Sequence, residues 1–223
     1  ETVPVDGIVL EGGNPAVGPW APPGQYRVRL VVDGREQLHS FNVRRDPRLT
    51  EVTDDDLLAQ FELARAIRDQ ESAANGTVLT IRDLTAQVEA SSRGSSNSRL
   101  RSSGRSFTER IAAIERELYQ VRNQSPKDKI AFPIKLNDRL TGLRSRLERG
   151  DAAPTEAYRR VFEELSTELA LQLKLFDEVI RQDLQRLNKE LGDAGLPTIV
   201  LSAAVRIANG GGLSRESRAR ARH

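Results

Sequence analysis

Apolar residues recur at spacings of three and four along four stretches of the chain, and this pattern constrains the fold more than any other feature. Residues 107–121 show it most regularly, in the 4-3-4-3 alternation typical of a coiled-coil interface. Each stripe covers one side of an α-helix, so the sequence predicts four amphipathic helices that pack against one another. The four apolar stripes are Leu57, Phe61, Ala64, Ile67, Ala74, Val78, Ile81, Leu84 and Val88; Phe107, Ile111, Ile114, Leu118 and Val121; Leu136, Leu140, Leu143 and Leu147; and Tyr158, Phe162, Leu165, Leu169, Leu173, Phe176, Ile180, Leu187 and Leu191.

Capping and helix-breaking residues between the stripes set the predicted helix boundaries. The sequence Thr53–Asp56 has the pattern of a capping box and begins a first helix over residues 54–90. A second helix spans about 107–123. A third spans about 133–149, with a proline in its first turn, and a fourth spans about 156–191.

The lengths of the predicted helices suggest how they pack. The first and fourth are each about 36 residues long, or roughly 54 Å, and the second and third together match that length. We therefore predict a mainly α fold, with a long antiparallel helical bundle over residues 53–197. The bundle has three layers, and its middle arm is broken at residues 124–132. A four-helix up-and-down bundle with a short central hairpin is the alternative.

The first 48 residues follow a different pattern. Residues 26–32 alternate apolar and polar side chains with period two, Asp33-Gly34 is a strong hairpin turn, and residues 41–43 continue the return strand. Two strands alone are marginally stable in water, so we expect partner strands in residues 1–20 or upstream. We interpret residues 1–48 as the C-terminal strands of a truncated Ig-like β-sandwich domain, in a chain that is a fragment of a longer protein.

Two tracts are rich in arginine. Residues 91–106 contain four arginines and no acid, and the end of the chain from residue 206 contains five arginines and one glutamate, so each tract carries +4. The whole chain carries +2, which leaves −6 on the remainder, so the folded part is not built as a nucleic-acid-binding surface. We predict a flexible linker over 91–106 and a disordered basic tail over 198–223.

No combination of residues typical of a catalytic site occurs in the sequence. The chain lacks Cys, which excludes thiolate chemistry and disulfides, and its two histidines, His39 and His223, leave almost nothing for a multi-histidine metal site. The acids at 54–56 point about 100° apart on a helix, so they cannot converge on one ion. We expect the apolar helix faces to carry no polar cluster. We predict no catalytic, cofactor-binding or metal site and no membrane span, since the apolar run 199–208 is short and broken by Arg206.

Several short motifs together resemble one protein family. The resemblance covers about residues 20–198 and is to the end of the β-sandwich, and the helical region after it, in large bacterial BNR-repeat proteins. These are the sortilin-like, glycosyl-hydrolase-like β-propeller proteins. The linker 91–106 and the segment after residue 197 depart from the family pattern. The motifs are A-P-P-G-Q-Y-R-V-R-L at 21–30, V-D-G at 32–34, F-N-V-R-R-D-P-R at 41–48, L-Y-Q-V-R-N at 118–123, P-I-K-L-N at 133–137 and G-L-P at 195–197.

The resemblance implies an exported parent protein, periplasmic or extracellular, whose propeller lies upstream of this chain. The Asp-box pattern of the propeller, S-x-D-x-G-x-T-W, does not occur here, so no hydrolase residue can be carried over. We predict a non-catalytic accessory, interaction or spacer region whose partner is that propeller, or a protein that contacts its helix faces. One alternative is that the chain is part of a hydrolase whose active site lies in the upstream propeller. Another is polyanion binding through the arginine-rich tracts, although these lack aromatic residues that could stack on bases.

Overall fold

The fold places a β-hairpin before a bundle of long helices. A computed structural model describes residues 17–92, 97–123, 128 and 131–201. A π-helical turn, Ile180–Leu184, joins the helix that ends at Val179 to the helix that begins at Gln185, without a break. The predicted mainly α fold with a preceding hairpin is confirmed. The elements are β1 (Gly24–Val32), β2 (Arg35–Val43), α1 (Asp54–Ser92), α2 (Ser98–Leu118), α3 (Leu136–Leu147), α4 (Glu156–Val179) and α5 (Gln185–Asp193).

The helices form three arms, of which α1 is the first and α2 followed by α3 is the second. Arg82 in the second half of α1 pairs with Glu115 of α2 at 2.9 Å. Gln60, near the start of α1, donates a hydrogen bond to the carbonyl of Leu147 at the end of α3. α2 and α3 therefore follow one another along α1, antiparallel to it, as two halves of one arm.

The third arm consists of α4, the π turn and α5, and it runs back along the second arm. Arg139 of α3 pairs with Glu168 of α4, with 3.1 Å between Nη2 and Oε1. At the other end, the guanidinium of Arg99 in α2 lies 3.7 Å from the carboxylate of Glu190 in α5. These contacts confirm the predicted three-layered bundle with a broken middle arm, and they exclude the four-helix alternative.

The predicted apolar stripes fill the space between the arms, and residues from every helix are buried there. One predicted stripe residue, Val121, is 40% exposed. The second helix ends at Leu118 instead of residue 123, because Tyr119 takes an extended conformation that turns the chain away from the helix axis. The largest fully buried side chains of the core are Phe107, Phe176, Ile67, Ile81, Leu84, Leu100, Ile111, Leu118, Leu140, Leu165, Leu169 and Leu191.

Most of the predicted flexible linker 91–106 is helical, so that prediction is wrong. α1 continues to Ser92, and α2 begins at Ser98, where the side chain of Asn97 accepts hydrogen bonds from the first backbone amides. Leu100 is only 1% exposed and Gly104 is buried, so the apolar stripe of α2 starts seven residues before Phe107. Residues 98–106 are otherwise mostly serine and arginine, so the sequence contains little sign that the apolar stripe begins at Leu100. Residues 93–96 lie outside the described residues.

The break in the middle arm is longer than predicted. α3 begins at Leu136, so Pro133 precedes the helix instead of lying in its first turn. The side-chain amide of Gln120, just after α2, donates a hydrogen bond of 2.8 Å to the carbonyl of Pro133. This contact ties the two ends of the arm together across the break. None of the helices in the described part of the chain is long and apolar enough to cross a membrane.

The sequence predicted a disordered tail over 198–223, but the first residues of that range pack on the bundle. The predicted start of the tail at residue 198 is therefore wrong. Ile199 is 3% exposed, and Leu201 packs against the core. The apolar residues Ile199 and Leu201 supply the burial that ordering requires. Residues 202–223 lie outside the described residues.

Candidate functional site

A cluster of polar side chains is buried between α1 and α3, where the sequence predicted only apolar contacts. The expectation that no apolar helix face carries a polar cluster is therefore wrong. Glu71 is fully buried, and its neighbours in the cluster are nearly so. The buried members are Glu71 and Asn75 of α1 and Asn137, Asp138, Thr141 and Arg144 of α3.

Both carboxylate oxygens of Glu71 accept hydrogen bonds from α3. The hydroxyl of Thr141 donates to Oε1 at 2.6 Å, and the guanidinium of Arg144 donates to Oε2 at 3.3 Å. The side-chain amide of Asn137 donates to that of Asn75 at 3.4 Å, one turn further along. These contacts fix how α3 is aligned along α1, because an axial shift of either helix would separate the donors from their acceptors.

The network extends from the core to the residues that precede the hairpin. Arg144 also donates to Glu148 at 3.4 Å. The other carboxylate oxygen of Glu148 accepts a hydrogen bond of 3.0 Å from the backbone amide of Trp20. A continuous chain of polar contacts thus runs from Glu71 through Arg144 and Glu148 to the base of the hairpin.

Burial raises the pKa of the Glu71 carboxyl above its usual range, although the hydroxyl of Thr141 and the guanidinium of Arg144 partly oppose that rise. A raised carboxyl pKa is one mark of a general acid or base. Such a group must also reach a substrate within hydrogen-bonding distance. Glu71 is fully buried and both its oxygens are occupied, so the arrangement supports a role in helix packing instead of proton transfer.

The sequence contained a signal for this cluster that the apolar pattern concealed. Glu71 lies four residues after Ile67, at a position where the apolar stripe of α1 was interrupted. On α3 the polar residues Asn137, Thr141 and Arg144 step at the same four-three spacing as the leucines, one position later. A polar stripe beside an apolar one on the same helix is therefore the pattern that could have revealed it.

The acids at 54–56, considered and rejected as a metal site, begin α1 as predicted. The hydroxyl and backbone amide of Thr53 donate to the Asp56 carboxylate, and the Asp56 amide donates back to the Thr53 hydroxyl at 3.1 Å. The hydrogen bonds from Thr53 lower the pKa of Asp56. No group of three or more metal-ligating side chains occurs among residues 17–92, 97–123, 128 and 131–201.

The hairpin is the second feature with functional potential. Its two-residue turn has positive φ angles at Asp33 (49°) and Gly34 (75°), as the type I′ turn requires. The rings of Tyr26 and Phe41 stack across the strands at 5.9 Å. Every strand residue except Tyr26 and Val43 is exposed. His39 lies in β2 opposite Val28 and is among these exposed residues.

The arginine-rich tracts fall only partly within the described residues, and polyanion binding through them stays a prediction. Comparisons of the chain with protein-family models, with curated proteins and with solved structures find no match. The resemblance to BNR-repeat proteins likewise stays a prediction, carried by the motifs quoted above.

Proposed function

We propose that this chain is a non-catalytic accessory region of an exported β-propeller protein, in which the bundle acts as a spacer and the hairpin completes a β-sheet of the same parent. The observation that carries the proposal is the exposure of the hairpin. Two strands without further partners are marginally stable in water, and three or more strands with a covered apolar face are normally needed.

On one face of the hairpin the side chains of β1 are apolar, and those of Arg35, Gln37 and His39 in β2 are polar. Residues that lie opposite one another in an antiparallel pair project from the same face, so Val28, Leu30 and Val32 share a face with Tyr26 and Phe41. Leu30 is 57% exposed, and its apolar neighbours on β1 are similarly open. An exposed apolar row of this kind, bordered by polar residues, is typical of protein contact sites.

Both edges of the hairpin offer backbone groups for further pairing. Val32 and Arg35 flank a two-residue turn, so they form a hydrogen-bonded pair, and such pairs alternate along the ladder. The backbone groups of Arg27 and Arg29 in β1, and of Leu38 and Ser40 in β2, therefore point away from the partner strand. An added strand could pair with either row.

The bundle holds the base of the hairpin from two sides. Glu148 binds the amide of Trp20 before β1, and the Arg45 guanidinium after β2 lies 3.8 Å from the carboxylate of Asp54 at the start of α1. α1 alone has 39 residues, or about 58 Å of helix. These features support a spacer that carries the hairpin at one end. The motifs at residues 20–198 support a propeller protein as the parent and export as its location.

Hydrogen exchange of the hairpin amides tests the proposal. In the purified 223-residue chain, we expect the outward-facing amides of Arg27, Arg29, Leu38 and Ser40 to exchange at nearly unprotected rates. In the same chain extended at its N-terminus by the sequence encoded upstream, we expect at least about tenfold slower exchange along one edge, because a partner strand would bond those amides. The core amides of α2 are the internal control and should not change.

Two results would contradict this proposal. One is strong protection of both hairpin edges in the monomeric 223-residue chain, which would mean that the hairpin needs no outside partner. The other is an upstream reading frame that encodes an unrelated domain without Asp-box repeats. Asp-box repeats there would support the propeller parent.

The absence of catalysis is tested separately on the purified chain. We expect no hydrolysis of glycoside or peptide substrates above the rate in buffer, because Glu71, the one fully buried carboxylate in the described part of the chain, is sealed from solvent. Activity that disappears in Glu71→Gln or Asp138→Asn, while helix content stays unchanged, would overturn the non-catalytic assignment. Activity that survives both substitutions would point to a contaminant or to another carboxylate, which further single substitutions would identify.

A further inference from the structure

Residues 196–201 lie in an extended conformation in a groove between α1 and α5. The chain reverses direction after α5 at Gly195, which has a positive φ of 68°, and the amide of Leu196 donates to the carbonyl of Leu191 at 2.9 Å. Ile199 then enters the core, while Val200 points outward and is 62% exposed. Among the described residues, a short segment with one nearly fully buried side chain thus occupies this groove.

Two side-chain amides satisfy the backbone of this segment from opposite walls. Asn188 of α5 accepts from the amide of Ile199 at 2.8 Å and donates to its carbonyl at 2.9 Å. Gln87 of α1 makes the same pair of contacts with Val200, both at 2.9 Å. In a strand, both backbone groups of one residue point to one side, and those of the next residue point to the other. The two amides therefore take the places of two neighbouring strands.

The groove has the chemistry of a peptide acceptor. Recognition through backbone groups does not depend on sequence, and the side chains that must fit are the buried Ile199 and the partly buried Leu196 and Leu201, all apolar. The side chain of Gln87 is also pre-oriented for this contact. The carboxylate of Asp83 accepts a hydrogen bond of 2.9 Å from the Gln87 side-chain amide and fixes its orientation. Release of the segment would expose one buried side chain and leave four backbone groups to water.

We propose that this groove is a recognition site for an extended apolar peptide of a partner protein, and that residues 196–201 fill it in cis until such a peptide displaces them. The partner segment has the pattern apolar-x-x-apolar-x-apolar, after Leu196, Ile199 and Leu201, with a β-branched residue at the central position. The charge of the flanking residues is unrestricted, because the residue at the position of Val200 faces solvent.

A binding titration with a defined probe tests this proposal. The probe is a capped synthetic peptide with the sequence of Ala194–Leu201, and the protein is the full chain carrying Ile199→Asp. That substitution displaces the segment in cis, because docking would bury an unpaired carboxylate. We expect saturable binding that is at least about tenfold tighter than binding to the unsubstituted chain, whose own segment competes at a high effective concentration. The readout is the shift of the side-chain amide resonances of Gln87 and Asn188.

Matched variants separate recognition from general loosening. Val200→Asp introduces the same charge one residue later at an exposed position, so it should bind the peptide no better than the unsubstituted chain. Adding Asn188→Leu or Gln87→Leu to Ile199→Asp should weaken binding by at least about tenfold, since two backbone contacts are lost. A peptide with Asp in place of the central Ile should not bind.

The proposal fails if the folded Ile199→Asp chain does not bind the peptide at millimolar concentration, or if Val200→Asp binds it equally well. If Ile199→Asp does not fold, Ile199→Ala takes its place. The smaller side chain keeps the segment uncharged but removes most of its buried contact. Peptide binding by that variant no tighter than by the unsubstituted chain would then overturn the proposal.

Discussion

Replacing Arg144 with leucine is expected to lower the free energy of unfolding by about 3–5 kcal/mol at neutral pH, the range typical of breaking a buried ion pair. Arg144 and its partner Glu71 are both buried, and their side chains are 5% exposed or less. The substitution would leave the Glu71 carboxylate without its positive neighbour. Urea denaturation followed by circular dichroism measures the change.

The surface pair in the same helix provides the matched control. Arg139 pairs with Glu168, and each of these side chains is more than a third exposed. Arg139→Leu removes the same charge from α3 but should cost no more than about 1 kcal/mol, because exposed pairs contribute little. Equal losses in the two variants would mean that the buried contact has no special weight.

A double substitution distinguishes the cost of an isolated charge from the value of the pair. Glu71→Leu combined with Arg144→Leu should recover most of the stability lost in Arg144→Leu alone, since apolar residues of similar volume often replace buried pairs without loss. Without Glu71, the hydroxyl of Thr141 can donate to the carbonyl of Asn137, 2.9 Å away, and Glu148 keeps the amide of Trp20. No recovery would show that Arg144 stabilises the bundle mainly through groups other than Glu71.

The effect of Arg144→Leu should depend on pH in a definite direction. The pKa of Glu71 is raised in the folded state by burial, so the folded state holds this proton more tightly than the unfolded state does. Stability therefore falls as pH rises from the unfolded pKa of Glu, about 4.3, through the folded pKa. Without Arg144 the folded pKa is higher still. The loss should be smallest near pH 4 and largest above the new pKa, and a loss independent of pH would contradict this account.

Leu100→Ala should lower the free energy of unfolding by about 2–5 kcal/mol, which is the cost of a cavity in a packed core. Leu100 is nearly fully buried at the start of α2, in the tract whose composition suggested a flexible linker. In a flexible linker the same substitution would change stability by no more than about 0.5 kcal/mol. Chemical denaturation of the full chain distinguishes the two.

The control for Leu100→Ala is Ser102→Ala, two residues later. Ser102 lies in the same helix and is exposed, so its substitution should leave stability within about 0.5 kcal/mol of the original. If Leu100→Ala were as mild as this control, the first two turns of α2 would contribute nothing to the core. The helical start at Ser98 would then be wrong.

The sequence was sufficient to predict the arms of the bundle, because apolar periodicity directly reflects which helix face is buried. It also predicted the hairpin, since alternation around Asp33-Gly34 admits few other structures. The prediction from sequence failed where one or two residues decide whether a segment is helical. Leu100 carries no helix signal in the sequence because its neighbours are Ser and Arg, although a single buried leucine and a capping Asn97 are enough to extend a helix that is already anchored.

The candidate sites were less accessible to prediction from sequence. Glu71 and Arg144 are 73 residues apart, and only the antiparallel alignment of α1 and α3 brings them together. The groove that holds Ile199 depends on Asn188 and Gln87, which occupy ordinary polar helix positions in the sequence. Contacts between distant polar residues become visible only after the helices are placed, because such residues are far more often solvated.

The π turn at Ile180–Leu184 has a consequence for how the length of the third arm can change. A wider turn contains an extra residue for the same rotation, so Val179 and Leu184, which are five residues apart, are both buried in the core. Loss of one residue inside 180–184 would restore ordinary helical winding and leave both flanks in place. Loss of one residue in the first half of α4 would rotate every later side chain by about 100°. Single-residue length variation in this arm should therefore concentrate at one turn.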